Sequence, residues 1–230
     1  MSKQKFLLLI ISIFLFFSFI FFSYLVAKER FVRFDFDTTV KMQDHISRRF
    51  DLPFSVLSLI GMVEITGFFW LIIIIYALIK RYFLTVITLF LFLIGLSIEV
   101  FGKLFVLHPG PPFLFYRGVL QFNFPTHYVH TDFSYPSGHV FRVSFLASFL
   151  IILFYFKAHS IFKAPFLLGI SIFWFLMVIS RIYLGEHWSS DVIGGALLGT
   201  SLGVFTGITI PTKKHLTAKL TNSYHNKDSI

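Results

Sequence analysis

Residues 6–26 carry no charged side chain, and five further apolar stretches follow at about 54–79, 82–100, 140–156, 165–179 and 192–210. This feature constrains the chain more than any other. A backbone in lipid must satisfy its own hydrogen bonds, which leaves helices or closed barrels. The runs are continuous rather than alternating, and about 20 apolar residues make one helical crossing. The expected fold is therefore all-α, an integral membrane bundle of six transmembrane helices. A mean hydropathy of +0.80 agrees, as does a charged fraction of 13 %, where soluble domains carry about a quarter.

The organisation expected is one domain over residues 1–230, with its core at about 55–210. Residues 1–27 form the first span. Lys3 and Lys5 precede it as they would a signal peptide, but its apolar core is longer than a signal peptide's roughly 7–15 residues and no A-x-A site follows. It is read as retained. Residues 28–53 mix charge with phenylalanine, which reads as an amphipathic segment at the membrane interface or as a solvated loop. Residues 212–230 read as a flexible basic tail.

Six spans put both termini on one side, together with Lys80, Arg81, Lys157 and Lys163. The positive-inside rule makes that side cytoplasmic in a cell (inner or plasma) membrane. Six Lys or Arg in residues 27–53 then fall on the other side and weigh against this orientation. The net charge of +9 is assigned to loops and anionic headgroups. Without a basic soluble face, no nucleic-acid partner is expected. The bilayer is the expected partner, and no obligate protein partner is inferred. With no cysteine, thiolate chemistry is excluded.

Topology places three polar clusters at the membrane boundary opposite the termini. The first, "EVFGKLFVLHPGPP", begins at Glu99 and supplies Lys103, four residues on, in the favourable order for an ion pair along a helix. A lysine at a span end snorkels to headgroups or binds phosphate as a point charge. The second, "SYPSGHVFR", puts Ser137 and Gly138 at a helix N-terminus, where free N–H groups favour an anion. Taken alone, Pro-Ser-Gly is also an ordinary turn and cap. His139 follows, with Arg142 one turn later. The third, "SRIYLGEHWSSD", holds Ser180, Arg181, His187 and Asp191. Four-residue spacing lets the Asp191 carboxylate take a hydrogen bond from one imidazole nitrogen and leave the other as a nucleophile. A plain helix-cap pair reads equally well from these residues alone.

Together, Lys103, then Pro136-Ser137-Gly138-His139, then Ser180-Arg181-x5-His187-x3-Asp191 resemble the three-part signature of the type 2 phosphatidic acid phosphatase superfamily, in its six-span membrane branch. The second and third motifs match residue for residue. The resemblance implies metal-independent hydrolysis of a lipid phosphomonoester or diphosphate, with no cofactor. It implies that His187 attacks phosphorus, Asp191 orients it, and His139 protonates the leaving oxygen and then activates water. Lys103, Arg181, Ser137 and the Gly138 N–H would hold the phosphoryl oxygens on the periplasmic or extracellular side. The implied substrates are polyprenyl diphosphate, phosphatidic acid or phosphatidylglycerol phosphate, and lipid A phosphate. A phosphotransferase using the same residues, and a noncatalytic lipid-phosphate binder or transporter, are the other function classes.

One departure stands out. The family's first motif ends in Arg-Pro, and here Gly110 stands where the arginine belongs, followed by Pro111. Replacement of that charge by Arg142, or by His108 two residues before the gap, is the expectation. Glu64 within the second stretch is costly in lipid and is read as a buried structural hydrogen bond. His127, His130 and Asp132 crowd one loop, but no zinc motif accompanies them and no metal is expected. Trp70, Trp174 and Trp188 suit spans and interfacial belts.

Overall fold

The computed structural model describes residues 2–120, 133–157 and 160–211. The tail at 212–230 and the His127, His130 and Asp132 cluster lie outside the described residues. Among those described, nine α-helices run in the order α1 (Lys3–Ala27), α2 (Val32–His45), α3 (Asp51–Ile60), α4 (Val63–Ile79), α5 (Phe83–Leu89), α6 (Leu91–Phe105), α7 (Gly138–Lys157), α8 (Ser160–Tyr183) and α9 (Ser189–Ile208). Five stretches are each long and apolar enough to cross a membrane: α1, α5 with α6, α7, α8 from Lys163, and α9. The bent pair α3 and α4 makes up to six.

The expected second span is therefore two helices, 49° apart. Met62 is extended, with φ −63° and ψ 151°. The carbonyl of Gly61 accepts from Arg142 Nε and Nη2 at 3.2 and 3.1 Å. Gly61 is also where the His139 ring packs, in space a Cβ would need. A remote arginine and histidine thus use the break, as expected of kinks with an identifiable cause. The third span is interrupted at Phe90 and continues to Phe105, so Lys103 lies in the last turn of α6. Likewise α8 reaches Tyr183, past the expected end at residue 179, and carries Ser180 and Arg181 inside the helix.

In lipid, burial of apolar surface gives no driving force between helices, and small residues let backbones approach closely. Gly195, Gly199 and Gly203, spaced by four, face the backbone of Ser137, Phe141 and Phe145 on α7 and the stretch before it. Helix α1 lies along α9, with Ser12 Oγ donating to the Ser201 carbonyl at 2.9 Å. At one end of the bundle, Lys5 Nζ donates to the Ile210 carbonyl at 2.6 Å. Near the other end of α1, Ser23 and Tyr135 hydroxyls meet at 2.8 Å. The N-terminus of α1 and the C-terminus of α9 therefore share an end, opposite the start of α7 and α9. Phe92 stacks with Trp70 and Phe141 in the core between α4, α6 and α7. Phe14, Phe17, Ile79 and Ile87 face outward as a lipid-facing surface.

Helix α2 is more than an interfacial segment. Its buried residues are Asp35 and Thr39, and Met42 packs against Val140, Ile182 and Val192. That stripe turns one face of α2 into the bundle end where the polar clusters meet.

Candidate active site

Asp191 occupies the first turn of α9, with its carboxylate fully buried. Its Oδ2 accepts the Trp188 N–H at 2.9 Å. An acid three residues into a helix that reaches back in this way satisfies an orphan donor and suits the positive helix end. The same oxygen faces His187 Nδ1 at 3.4 Å. Capping and imidazole orientation, alternatives in the sequence, are one arrangement here. With Nδ1 directed at the carboxylate, Nε2 is the nitrogen left for other chemistry. Burial pulls the His187 pKa well below the ordinary histidine value, and the charges of Arg181 and Lys103 add to this. The imidazole is neutral at neutral pH, as a nucleophile needs to be.

Arg181 is buried at the end of α8. Its Nη1 donates to Ser58 Oγ on α3 and its Nη2 pairs with Glu186. Lys103 Nζ lies 3.0 Å from Glu99 Oε1. On the other oxygen of that carboxylate, Arg142 Nη1 donates at 3.1 Å. Gly138 is required here: its Cα lies against the Glu99 carboxylate, and any Cβ would overlap it. Ser137 donates its backbone N–H to the Asp191 carbonyl at 3.0 Å, which fixes the start of α7 to α9. Its hydroxyl is buried and has no hydrogen-bond partner among the described residues. His139 is partly exposed and lies within the electrostatic reach of Arg181, Arg142, His187 and Lys103. The second and third clusters, 40 or more residues apart in sequence, thus converge with Lys103 at one end of the bundle.

Arg142 and His108 sit differently from the expectation that either replaces the motif arginine. Three N–H groups of Arg142 are committed to Glu99 and Gly61, so it braces Glu99 and the α3–α4 break. Glu64, in the first turn of α4, contributes charge near it. His108 is buried beside carboxylates, with Nε2 3.7 Å from Asp191 Oδ1 and 3.6 Å from Asp35 Oδ2. Gly110 is not held by crowding, since a Cβ there meets Ser134 at ordinary contact distance, 3.5 Å.

Sequence reasoning missed Asp35. Its carboxylate accepts from Ser190 N at 2.8 Å and Ser190 Oγ at 2.7 Å, beside Asp191. Burial raises its pKa, while Ser190 and His108 act in the other direction. The available signal was spacing: Asp35, Thr39 and Met42 recur at i, i+4 and i+7, the buried stripe of an amphipathic helix. The tryptophans act through their N–H groups. Trp188 Nε1 donates to the Pro109 carbonyl at 2.8 Å and Trp174 Nε1 to Ser144 Oγ at 2.7 Å.

The model of the PAP2 superfamily matches residues 82–214, more than half of the chain. An undecaprenyl-diphosphatase of Sulfolobus acidocaldarius is 43 % identical over 84 residues, covering 34 % of this chain and 37 % of that protein. The match thus spans little more than a third of that relative's length. A solved transmembrane PAP2 type phosphatidylglycerolphosphate phosphatase from Bacillus subtilis shares the fold. Its TM-score is 0.62 at 19 % identity, over 85 % of this chain and 93 % of that one.

Proposed function

The chain belongs to the PAP2 superfamily, and from that premise we propose that it is a metal-independent phosphatase of membrane lipids that works through a phosphohistidine. The observation that carries this reading is the His187–Asp191 pair: a buried, neutral imidazole with one nitrogen facing a carboxylate, next to Lys103, Arg181 and His139. Binding alone requires no oriented nucleophile.

In the first step, His187 Nε2 forms a bond to phosphorus as the bond to the leaving oxygen breaks. His139 gives that oxygen a proton, so the lipid leaves as an alcohol or as a monophosphate. Asp191 stabilises the positive charge that His187 acquires. In the second step His139 removes a proton from water, whose oxygen attacks phosphorus and releases inorganic phosphate with His187 restored. Phosphoryl transfer relies chiefly on positioning and charge stabilisation. Lys103, Arg181, the Ser137 hydroxyl and the Gly138 N–H supply donors for the phosphoryl oxygens.

The substrate proposed is a lipid-linked phosphate or diphosphate. Two similar proteins are named for undecaprenyl diphosphate and for phosphatidylglycerolphosphate, both of which present phosphate at headgroup depth. The site lies at the end of the bundle opposite Lys5 and Ile210. With the termini cytoplasmic by the positive-inside rule, it faces the periplasmic or extracellular side.

Rapid quenching with a radiolabelled lipid diphosphate or monophosphate tests the mechanism. Protein-bound label that is acid-labile and alkali-stable, and absent from His187→Ala, is the expected result. Turnover without any such label would remove the covalent step.

A further inference from the structure

We infer that Asp35 and His108 form a second carboxylate–imidazole pair that positions Asp191, making helix α2 a working part of the active site. This deepens the phosphatase reading above and rests on it.

The Asp191 carboxylate is fully buried. Its Oδ2 is occupied by the Trp188 N–H and by His187. Among the described residues its Oδ1 has no hydrogen-bond partner of ordinary geometry; His108 Nε2 faces it at 3.7 Å, and the Ser134 side chain also acts on this carboxylate. An anion buried in this way needs a donor or a positive charge on each oxygen. His108 Nε2 is surrounded by oxygen: Ser190 Oγ at 3.2 Å, Asp35 Oδ2 at 3.6 Å and Asp191 Oδ1 at 3.7 Å. Ser190 Oγ already donates to Asp35, so it has a lone pair to offer the imidazole. Three acceptors around one nitrogen select the form of His108 that carries its proton there.

Asp35 fixes this group from α2. It takes both the N–H and the hydroxyl of Ser190, the residue before Asp191. The His108 backbone completes the unit, since its carbonyl accepts from Ser134 N at 3.0 Å and Ser134 Oγ at 3.2 Å. One buried network therefore joins α2, the loop after α6, the stretch before α7 and the start of α9. Asp35 and His108 stand behind the His187–Asp191 pair as hydrogen-bonded outer partners stand behind catalytic ligands. They touch no reacting atom in this scheme and act through Asp191 as positioning residues.

The test compares His108→Phe, His108→Gln and Asp35→Asn with wild type and His187→Ala in the full-length, detergent-purified protein. Steady-state phosphate release is followed alongside 15N spectra of the histidines, with His187 assigned by its loss in the mutant. In His108→Phe, kcat is expected to fall about 10–100-fold, the usual range for outer-shell partners, with KM changed less than about twofold. His108→Gln, which keeps an N–H donor, should recover most of that loss. The His187 Nδ1 proton resonance should shift in His108→Phe and in Asp35→Asn. If His108→Phe fails to fold, Asp35→Asn keeps the side-chain volume and is read the same way. A kcat within threefold of wild type, or equal losses in the Phe and Gln variants with the His187 resonance unmoved, would overturn the inference. The spectra decide positioning whether or not any lipid turns over, whereas wild type inactive on every lipid would overturn the phosphatase reading alone.

Discussion

Asp191 Oδ2 accepts the Trp188 N–H at 2.9 Å and faces His187 Nδ1 at 3.4 Å. One oxygen thus closes the N-terminus of α9 and orients the imidazole proposed as the nucleophile. The two roles separate by mutation. Asp191→Asn keeps an oxygen for the Trp188 N–H but loses the charge that stabilises the imidazolium. Its kcat should fall about 10⁴-fold, the scale set by the equivalent change in a catalytic triad, with little change in thermal stability. Asp191→Ala should lose the same activity and, in addition, about 1 kcal/mol of stability from the missing cap. Phosphate release and thermal unfolding, measured side by side, check both.

Arg142 and Arg181 should behave differently. Arg142 is bound to Glu99 and Gly61, and its removal leaves a buried carboxylate with Lys103 as partner. Arg142→Ala should therefore cost about 3 kcal/mol of stability, the low end for breaking a buried pair. The double variant with Glu99→Gln should recover part of it. Arg181→Ala should lower kcat by about 10²–10³-fold, as expected for a group that stabilises transition-state charge. Equal unfolding temperatures for Arg142→Ala and wild type would remove the bracing role.

The depressed pKa of His187 fixes a sign in the pH dependence. The unfolded chain binds a proton on this histidine below about pH 6.5, and the folded chain does not. The stability that His187 contributes to the folded state is thus complete above that pH. It declines as pH falls, by up to about 1.4 kcal/mol per pH unit. His187→Gln should flatten that acid limb of thermal stability. An unchanged limb would show that another group causes it.

How much of this was legible depended on distance along the chain. The spans and the His187–Asp191 spacing are local, and the sequence states them directly. The break at Gly61 is not local, because it is used by Arg142 and His139, about 80 residues later. Asp35 looked like one more charge among the eleven acids of the chain. Only its register with Thr39 and Met42 marks it as inward-facing. Arg142 read as a replacement for the motif arginine, since the sequence does not show that Glu99 and the Gly61 carbonyl meet it. The four-residue glycine repeat of α9 is a readable pattern. What it touches, the Ser137–Phe145 backbone, becomes visible only in three dimensions.

That glycine stripe makes a paired prediction. A Cβ at Gly199 meets the Phe141 carbonyl and the Ser144 side chain, so Gly199→Val should force α7 from α9. It should cost at least the roughly 1–3 kcal/mol of ordinary overpacking. At Gly67 a Cβ meets nothing within 4 Å among the described residues, so Gly67→Ala should stabilise α4 by about 0.5–1 kcal/mol. Thermal unfolding of the two variants against wild type measures both.

Inorganic phosphate release by the detergent-purified protein reads the proposed His187 chemistry itself. Undecaprenyl diphosphate, phosphatidic acid and phosphatidylglycerol phosphate are offered in parallel, with excess EDTA and a His187→Ala control. Turnover of at least one of them that survives EDTA and is lost in the mutant is the expected result. Activity abolished by EDTA, or retained without His187, would contradict it.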